Sequence, residues 1–150
     1  MKNILVKGSG DLTGGQQFYN FVIGKTFNNQ VVVICGGGSK ISAALKDAGY
    51  KIKFDGLGRR VTETVQERLI MKKILDSEVK VLQEKFHPHR VDVVAPILRA
   101  GSVLCPINGD DLVKAYELGF DEIYVLTKEE RIEKKQLIFK DFPKVQIIGI

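Results

Sequence analysis

Short apolar runs rich in β-branched residues alternate along this chain with longer stretches whose apolar positions recur every three or four residues. The short runs predict strands at Asn3 to Val6, Val31 to Cys35, Val91 to Ala95, Glu122 to Leu126 and Val145 to Ile148. VVVIC and VDVVA are nearly continuous in apolar character, as expected of strands covered on both faces. Helical spacing of Phe18, Phe21, Val22 and Lys25 predicts a helix from Gln16 to Phe27. A second helix follows Ser39, read as its N-cap, with Ile41, Ala44 and Leu45 inward and Gly49 in its C-terminal turn. The longest helix runs over 63–85, capped by Thr62, with a buried stripe of Val65, Leu69, Leu75, Val79 and Leu82. His87 to Arg90, which contains Pro88, ends it. A short helix over 110–118 takes Asp110 or Asp111 as its cap and stops at Gly119.

Lys51 to Phe54 and Ser102 to Cys105 read as further short strands, Gly56 to Gly58 as a loop, and Arg131 to Phe139 as a hairpin, although no tight-turn dipeptide lies within it. Strands alternating with helices imply an α/β fold: three layers, α/β/α, around a mainly parallel sheet. With 150 residues, one domain is expected over 1–150.

Ligands of such sheets bind beyond the carboxyl ends of the strands. Three candidate segments lie there: Lys7–Gly10, Gly36–Ser39 and Asn108–Asp110. Lys7-Gly8-Ser9-Gly10 combines a lysine with glycines whose backbone N–H groups can approach phosphate oxygens. It also reads as a tight strand-to-helix turn with a surface lysine. Gly36-Gly37-Gly38 opens a helix and suits an anion, or it gives clearance for close backbone packing. Arg59 and Arg60 carry guanidinium forks suited to carboxylate or phosphate, or they are a solvated pair. Asp110, after Asn108 and Gly109, either orients catalytic lysines or a metal-bound phosphate, or caps a helix. His87 and His89 flank a proline without the cysteine or carboxylate spacing of a zinc site, so no metal-ligating residue is assigned.

Composition narrows the function classes. Hydrophobic residues make up 44% of the chain and the net charge is +5, which excludes a disordered segment. Two cysteines, Cys35 and Cys105, exclude a disulfide scaffold. No apolar stretch approaches a membrane span, and MKNILVKGSGD lacks the features of a signal peptide, so a cytoplasmic protein is expected. A pI near 9.2 favours anionic partners, here a small anionic metabolite or a nucleotide. Nucleic acid is a poorer fit, because only Tyr50 to Phe54 sets aromatics among lysines.

Taken together, these segments resemble the amino acid kinase superfamily, which includes acetylglutamate, uridylate and carbamate kinases. Lys7-Gly8-Ser9-Gly10 looks like the family's first-strand Lys-x-Ser/Gly-Gly. Residues 31–45 are similar to its apolar strand, Gly-Gly-Gly loop and helix. Residues 54–62 resemble Gly-Leu-Arg-Val-Thr with one extra residue, Asn108-Gly109-Asp110 resembles Asn-Ala-Asp, and residues 120–128 resemble the strand that follows. The resemblance implies a carbamate kinase-like fold in a shortened form, with a substrate-lobe-like part over 1–95 and a reduced nucleotide-lobe-like part over 96–150. It implies ATP-dependent phosphoryl transfer with Mg2+, and a homo-oligomer. Lys7 and Asp110 would then be catalytic. Ser9, Gly10, Gly36, Gly37 and Gly38 would hold phosphoryl oxygens, and Arg59, Arg60 and Asn108 would hold the substrate. The sequence departs from the family where Thr127-Lys128-Glu129-Glu130-Arg131 stands for Thr-Asp-x-x-Gly and where Pro106 is the nearest match to a substrate asparagine. No Gly-Gly-Met-x-x-Lys segment follows Thr127. The alternative is a non-catalytic, oligomer-forming relative that binds an anion or nucleotide.

Overall fold

The five apolar runs pair side by side as one parallel sheet in the computed structural model, which describes all of residues 1–150. In chain order the elements are β1 (Asn3–Gly8), α1 (Gln16–Gly24), β2 (Gln30–Ile34), α2 (Gly38–Asp47), β3 (Lys53–Phe54), β4 (Arg60–Val61), α3 (Val65–Phe86) and β5 (Asp92–Val94). There follow β6 (Ile97–Ala100), β7 (Val103–Pro106), α4 (Gly109–Tyr116), β8 (Glu122–Thr127), α5 (Ile132–Ile138) and β9 (Val145–Gly149). The central sheet has the order β5-β2-β1-β8-β9. Ile4 registers with Val31 on one side and with Glu122 on the other, so β1 lies in the middle. The chain builds outward from β1 through β2 to β5, then crosses to β8 and β9 on the opposite side. That reversal opens a crevice at the carboxyl end of β1.

Strand periodicity divides the interior in two. Ile4, Val6, Val31, Val33 and Cys35 face α1, α2 and α3, meeting Phe18, Val22, Leu45, Leu75 and Phe86. Leu5, Ile34, Ile123 and Val125 face the other way, onto Leu112, Val113 and Phe139. The expected three-layer α/β/α arrangement is therefore present. Lys7, two residues beyond Leu5, shares its face and points toward α4. No helix is long and apolar enough to cross a membrane.

Several local expectations need correction. Residues 131–139 form no hairpin: a 3-10 turn at Glu129–Arg131 runs into α5, as the helix formers Glu133, Lys134, Lys135 and Gln136 favour. Ser39 is not a cap, since Gly37 holds that position and α2 starts at Gly38. Asn108, rather than Asp110 or Asp111, caps α4: its Oδ1 accepts from the Asp110 N–H at 2.9 Å. Thr64, rather than Thr62, caps α3, in a reciprocal box with Glu67. The buried stripe of α3 is Glu67, Met71, Leu75, Leu82 and Phe86, while Val65 and Leu69 are exposed. Two short hairpins complete the chain, β3 with β4 and β6 with β7. Because its cap both accepts and donates, Thr64→Ala is expected to destabilise the protein by about 1 kcal/mol. Urea denaturation would show this as a lower midpoint at unchanged slope.

Candidate functional site

Lys7, on the last turnless stretch of β1, reaches over Gly109, where a side-chain carbon would lie 3.1 Å from the lysine Cε. Its ammonium donates to Asp110 Oδ1 at 2.9 Å. The second carboxylate oxygen, Oδ2, accepts from Lys135 of α5 at 2.5 Å. The side chains of Lys7, Asp110 and Lys135 are only 9%, 10% and 14% exposed. One buried carboxylate thus joins the buried ammonium of Lys7 to the partly buried one of Lys135, and the cluster keeps a surplus positive charge. Burial pushes the Asp110 carboxyl up, but the charges of Lys7 and Lys135 and their hydrogen bonds outweigh it and hold it below the ordinary carboxylate value. Burial, together with the charge of Lys7, brings Lys135 below the ordinary lysine value, although Asp110 pulls it back.

These groups line a cavity of about 320 Å³ at the carboxyl ends of the central strands. Gly8, Ser9 and Gly10 form one rim, and Gly36, Gly37 and Gly38 the next. Ser9 is tied down through its N–H to the Leu126 carbonyl and its hydroxyl to Thr127. The two glycine loops pack backbone against backbone. A side-chain carbon at Gly36 would lie 2.6 Å from Gly10 Cα and 2.8 Å from Gly10 N. Gly36 therefore does need clearance, the plainer of the two readings of the triple glycine. Gly38 has open space around it. The first turn of α2 that it begins has no side-chain cap and no acidic residue, so its N–H groups and dipole are available to an anion.

Arg60 closes the far side. Its Nη2 donates to the Gly38 carbonyl at 3.0 Å and to Ser42 Oγ at 2.9 Å, and its guanidinium lies over the Phe54 ring. Nη1 of the same group is buried with no partner. Arg59 turns away from the cavity and pairs with Asp111 through Nε at 2.8 Å, joining the β3–β4 hairpin to α4. Of the residues singled out in the sequence, Lys7, Ser9, Gly10, Gly36, Gly37, Gly38, Arg60, Asn108 and Asp110 are brought together around the cavity, and Arg59 is not.

Sequence reasoning missed Lys135 and Arg131, both of which line the cavity. Their spacing of four is the signal that would have found them, since a helical reading puts both on one face. No group of histidine, cysteine or acidic side chains is arranged to hold a metal. His89 is engaged with the Tyr19 hydroxyl at 2.7 Å. Cys35 lines the cavity floor, but burial pushes its thiol up to about 12, so it carries no nucleophilic thiolate.

Compared with known proteins, the chain matches no family model and no curated protein.

Proposed function

We propose that the cavity binds the phosphoryl group of a small metabolite and that the chain is an ATP-dependent phosphotransferase of the amino acid kinase type. The observation that carries this reading is the Lys7–Asp110–Lys135 cluster, set against the uncapped first turn of α2. Phosphoryl transfer needs charge neutralisation and positioning more than a covalent residue. Lys7 and Lys135 would neutralise phosphoryl oxygens, Asp110 would hold both in place, and Arg60 would bind a further oxygen of the substrate. Both oxygens of Asp110, the only carboxylate lining the cavity, are taken by lysines. No side chain is left to hold Mg2+, so the ion would arrive on the phosphates of the nucleotide. The cytoplasmic setting and the homo-oligomer expected from the sequence go with this reading.

A second reading, anion binding without transfer, is favoured by the cavity volume. About 320 Å³ is at the small end for ligand sites, a size that suits one small anion. Calorimetry with inorganic phosphate, ADP and Mg-ATP, alongside an assay for ADP release with candidate acceptors, separates the two. Turnover abolished by Lys7→Ala supports transfer. Phosphate binding with no turnover leaves the second reading. Absence of heat with every anion removes both.

The same titration has an expected pH dependence. Lys135 loses its proton below the ordinary lysine value of 10.5. Phosphate affinity is therefore expected to decline on that early rise in pH, and to stay flat over the same range in Lys135→Arg, which keeps its charge. Identical profiles for the two proteins would sink the assignment. Stability moves in the opposite direction. A lysine with a lowered folded-state pKa is penalised while charged, and that penalty is relieved as pH rises through the lowered value.

A further inference from the structure

The cavity lining is lopsided in hydrogen-bonding capacity. Lys7, Lys135, Arg60 and Arg131 bring four cationic side chains against the single carboxylate of Asp110, both of whose oxygens are already taken. Asn108 adds an amide, but its oxygen is committed to the Asp110 N–H. Asp111, next to Asp110 in sequence, and Asp11, next to Gly10, are outside the lining and are paired with Arg59 and Lys128. A ligand ammonium entering here would meet surplus positive charge and no free carboxylate. Hydrocarbon lines the cavity as well. Ile41 from α2 and Met71 and Leu75 from α3 come up from the core, with Phe54, Pro96 and Pro106 beside them. A lining that joins hydrocarbon to surplus donors selects both for what a ligand carries and for what it lacks.

We infer that the ligand of this cavity is a phosphomonoester with a hydrocarbon body and no amino group, so that free amino acids and amino-bearing phosphates are rejected. This rests on the phosphoryl-binding reading above and narrows it to a substrate class. The phosphate occupies the Lys7–Lys135 end, and the body lies along Ile41, Met71 and Leu75. An uncharged methylene placed there leaves water for an apolar surface, worth about fourfold in affinity per methylene. An ammonium in the same place loses its hydration and finds no counter-charge.

The test is calorimetric titration of the full chain with inorganic phosphate, ethyl phosphate, butyl phosphate and 4-aminobutyl phosphate. Butyl phosphate is expected to bind at least tenfold more tightly than ethyl phosphate, and 4-aminobutyl phosphate at least tenfold more weakly than butyl phosphate. Phe54→Ser, at a position 58% exposed, is expected to narrow the ratio between butyl and inorganic phosphate. Equal or tighter binding of the amino compound overturns the inference, as does no gain from ethyl to butyl. In both of those cases the phosphate site itself survives. Failure of all four compounds to bind removes the site and the inference with it.

Discussion

Replacing Asp110 with asparagine is expected to destabilise the protein by about 3 kcal/mol, because it leaves the buried ammonium of Lys7 and the partly buried one of Lys135 without a counter-charge. The substitution keeps the volume and removes the charge. The amide nitrogen that replaces one oxygen is a donor, so one lysine loses its acceptor as well as its ion partner. For a domain of this size the melting temperature should fall on the order of 10 °C. Two further readouts separate this cause from a packing defect. First, added phosphate should recover much of the loss, since an anion that binds only the folded state stabilises it by mass action and here supplies the missing negative charge. Second, the gap between the two proteins should close in acid. The folded-state pKa of Asp110 is depressed, so its contribution is complete above about pH 3.9, the unfolded value, and is lost as pH falls through the lower folded value. A loss under about 1 kcal/mol would mean that Lys7 and Lys135 reach solvent when released, as an exposed pair would.

Gly36→Ala is expected to be nearly as damaging, for a steric reason. The added methyl would lie 2.6 Å from Gly10 Cα and 2.8 Å from Gly10 N. The obstacle is backbone on both counts, so no rotamer change relieves it. Overpacking of this kind costs about 3 kcal/mol. Since the two loops form adjacent rims of the cavity, parting them should also weaken phosphate binding at least tenfold. Gly38→Ala is the internal control. Its new methyl meets nothing within 4 Å, and its stability should equal the parent's or exceed it by up to about 1 kcal/mol. Thermal denaturation of the two variants with and without phosphate checks both statements. Equal effects at the two positions would show that clearance is not what distinguishes them.

The parts of the fold that were legible in the sequence are those in which every residue of a run reports the same environment. VVVIC is apolar throughout because β2 lies inside the sheet, and VDVVA keeps its buried Val91 and Val93 although β5 is an edge strand, so both were found within a residue of their ends. The cavity was legible as three loops at strand ends, because sheets of this kind bind their ligands there. What escaped depended on contacts distant in sequence, or on a signal left unread. α5 is seven residues long and has no buried residue, so hydrophobic periodicity says little, and Lys135 reaches Asp110 only through the tertiary arrangement. Gly101-Ser102 joins β6 to β7 with Gly101 at φ +60°, and a two-residue Gly-Ser connection is itself a hairpin signal. Thr64-Val65-Gln66-Glu67 carries the T-x-x-E spacing of a capping box, which Thr62 does not. Val65 and Leu69 were read into the stripe of α3 for their hydrophobicity, whereas the buried face that holds Leu75 and Leu82 passes through Glu67 and Met71 instead.

One feature of β1 constrains how this chain can change. Lys7 faces Asp110 only because it lies an even number of positions, two, beyond Leu5, whose side chain anchors the same side of the sheet. Insertion or deletion of a single residue between them reverses the parity. It would swing the ammonium into the layer of Phe18 and Val33 while carrying an apolar neighbour toward Lys135. Length changes in this strand are therefore tolerable only in pairs. A lineage of such chains should vary freely in the identity of residues 4–6 among apolar types while holding their number constant.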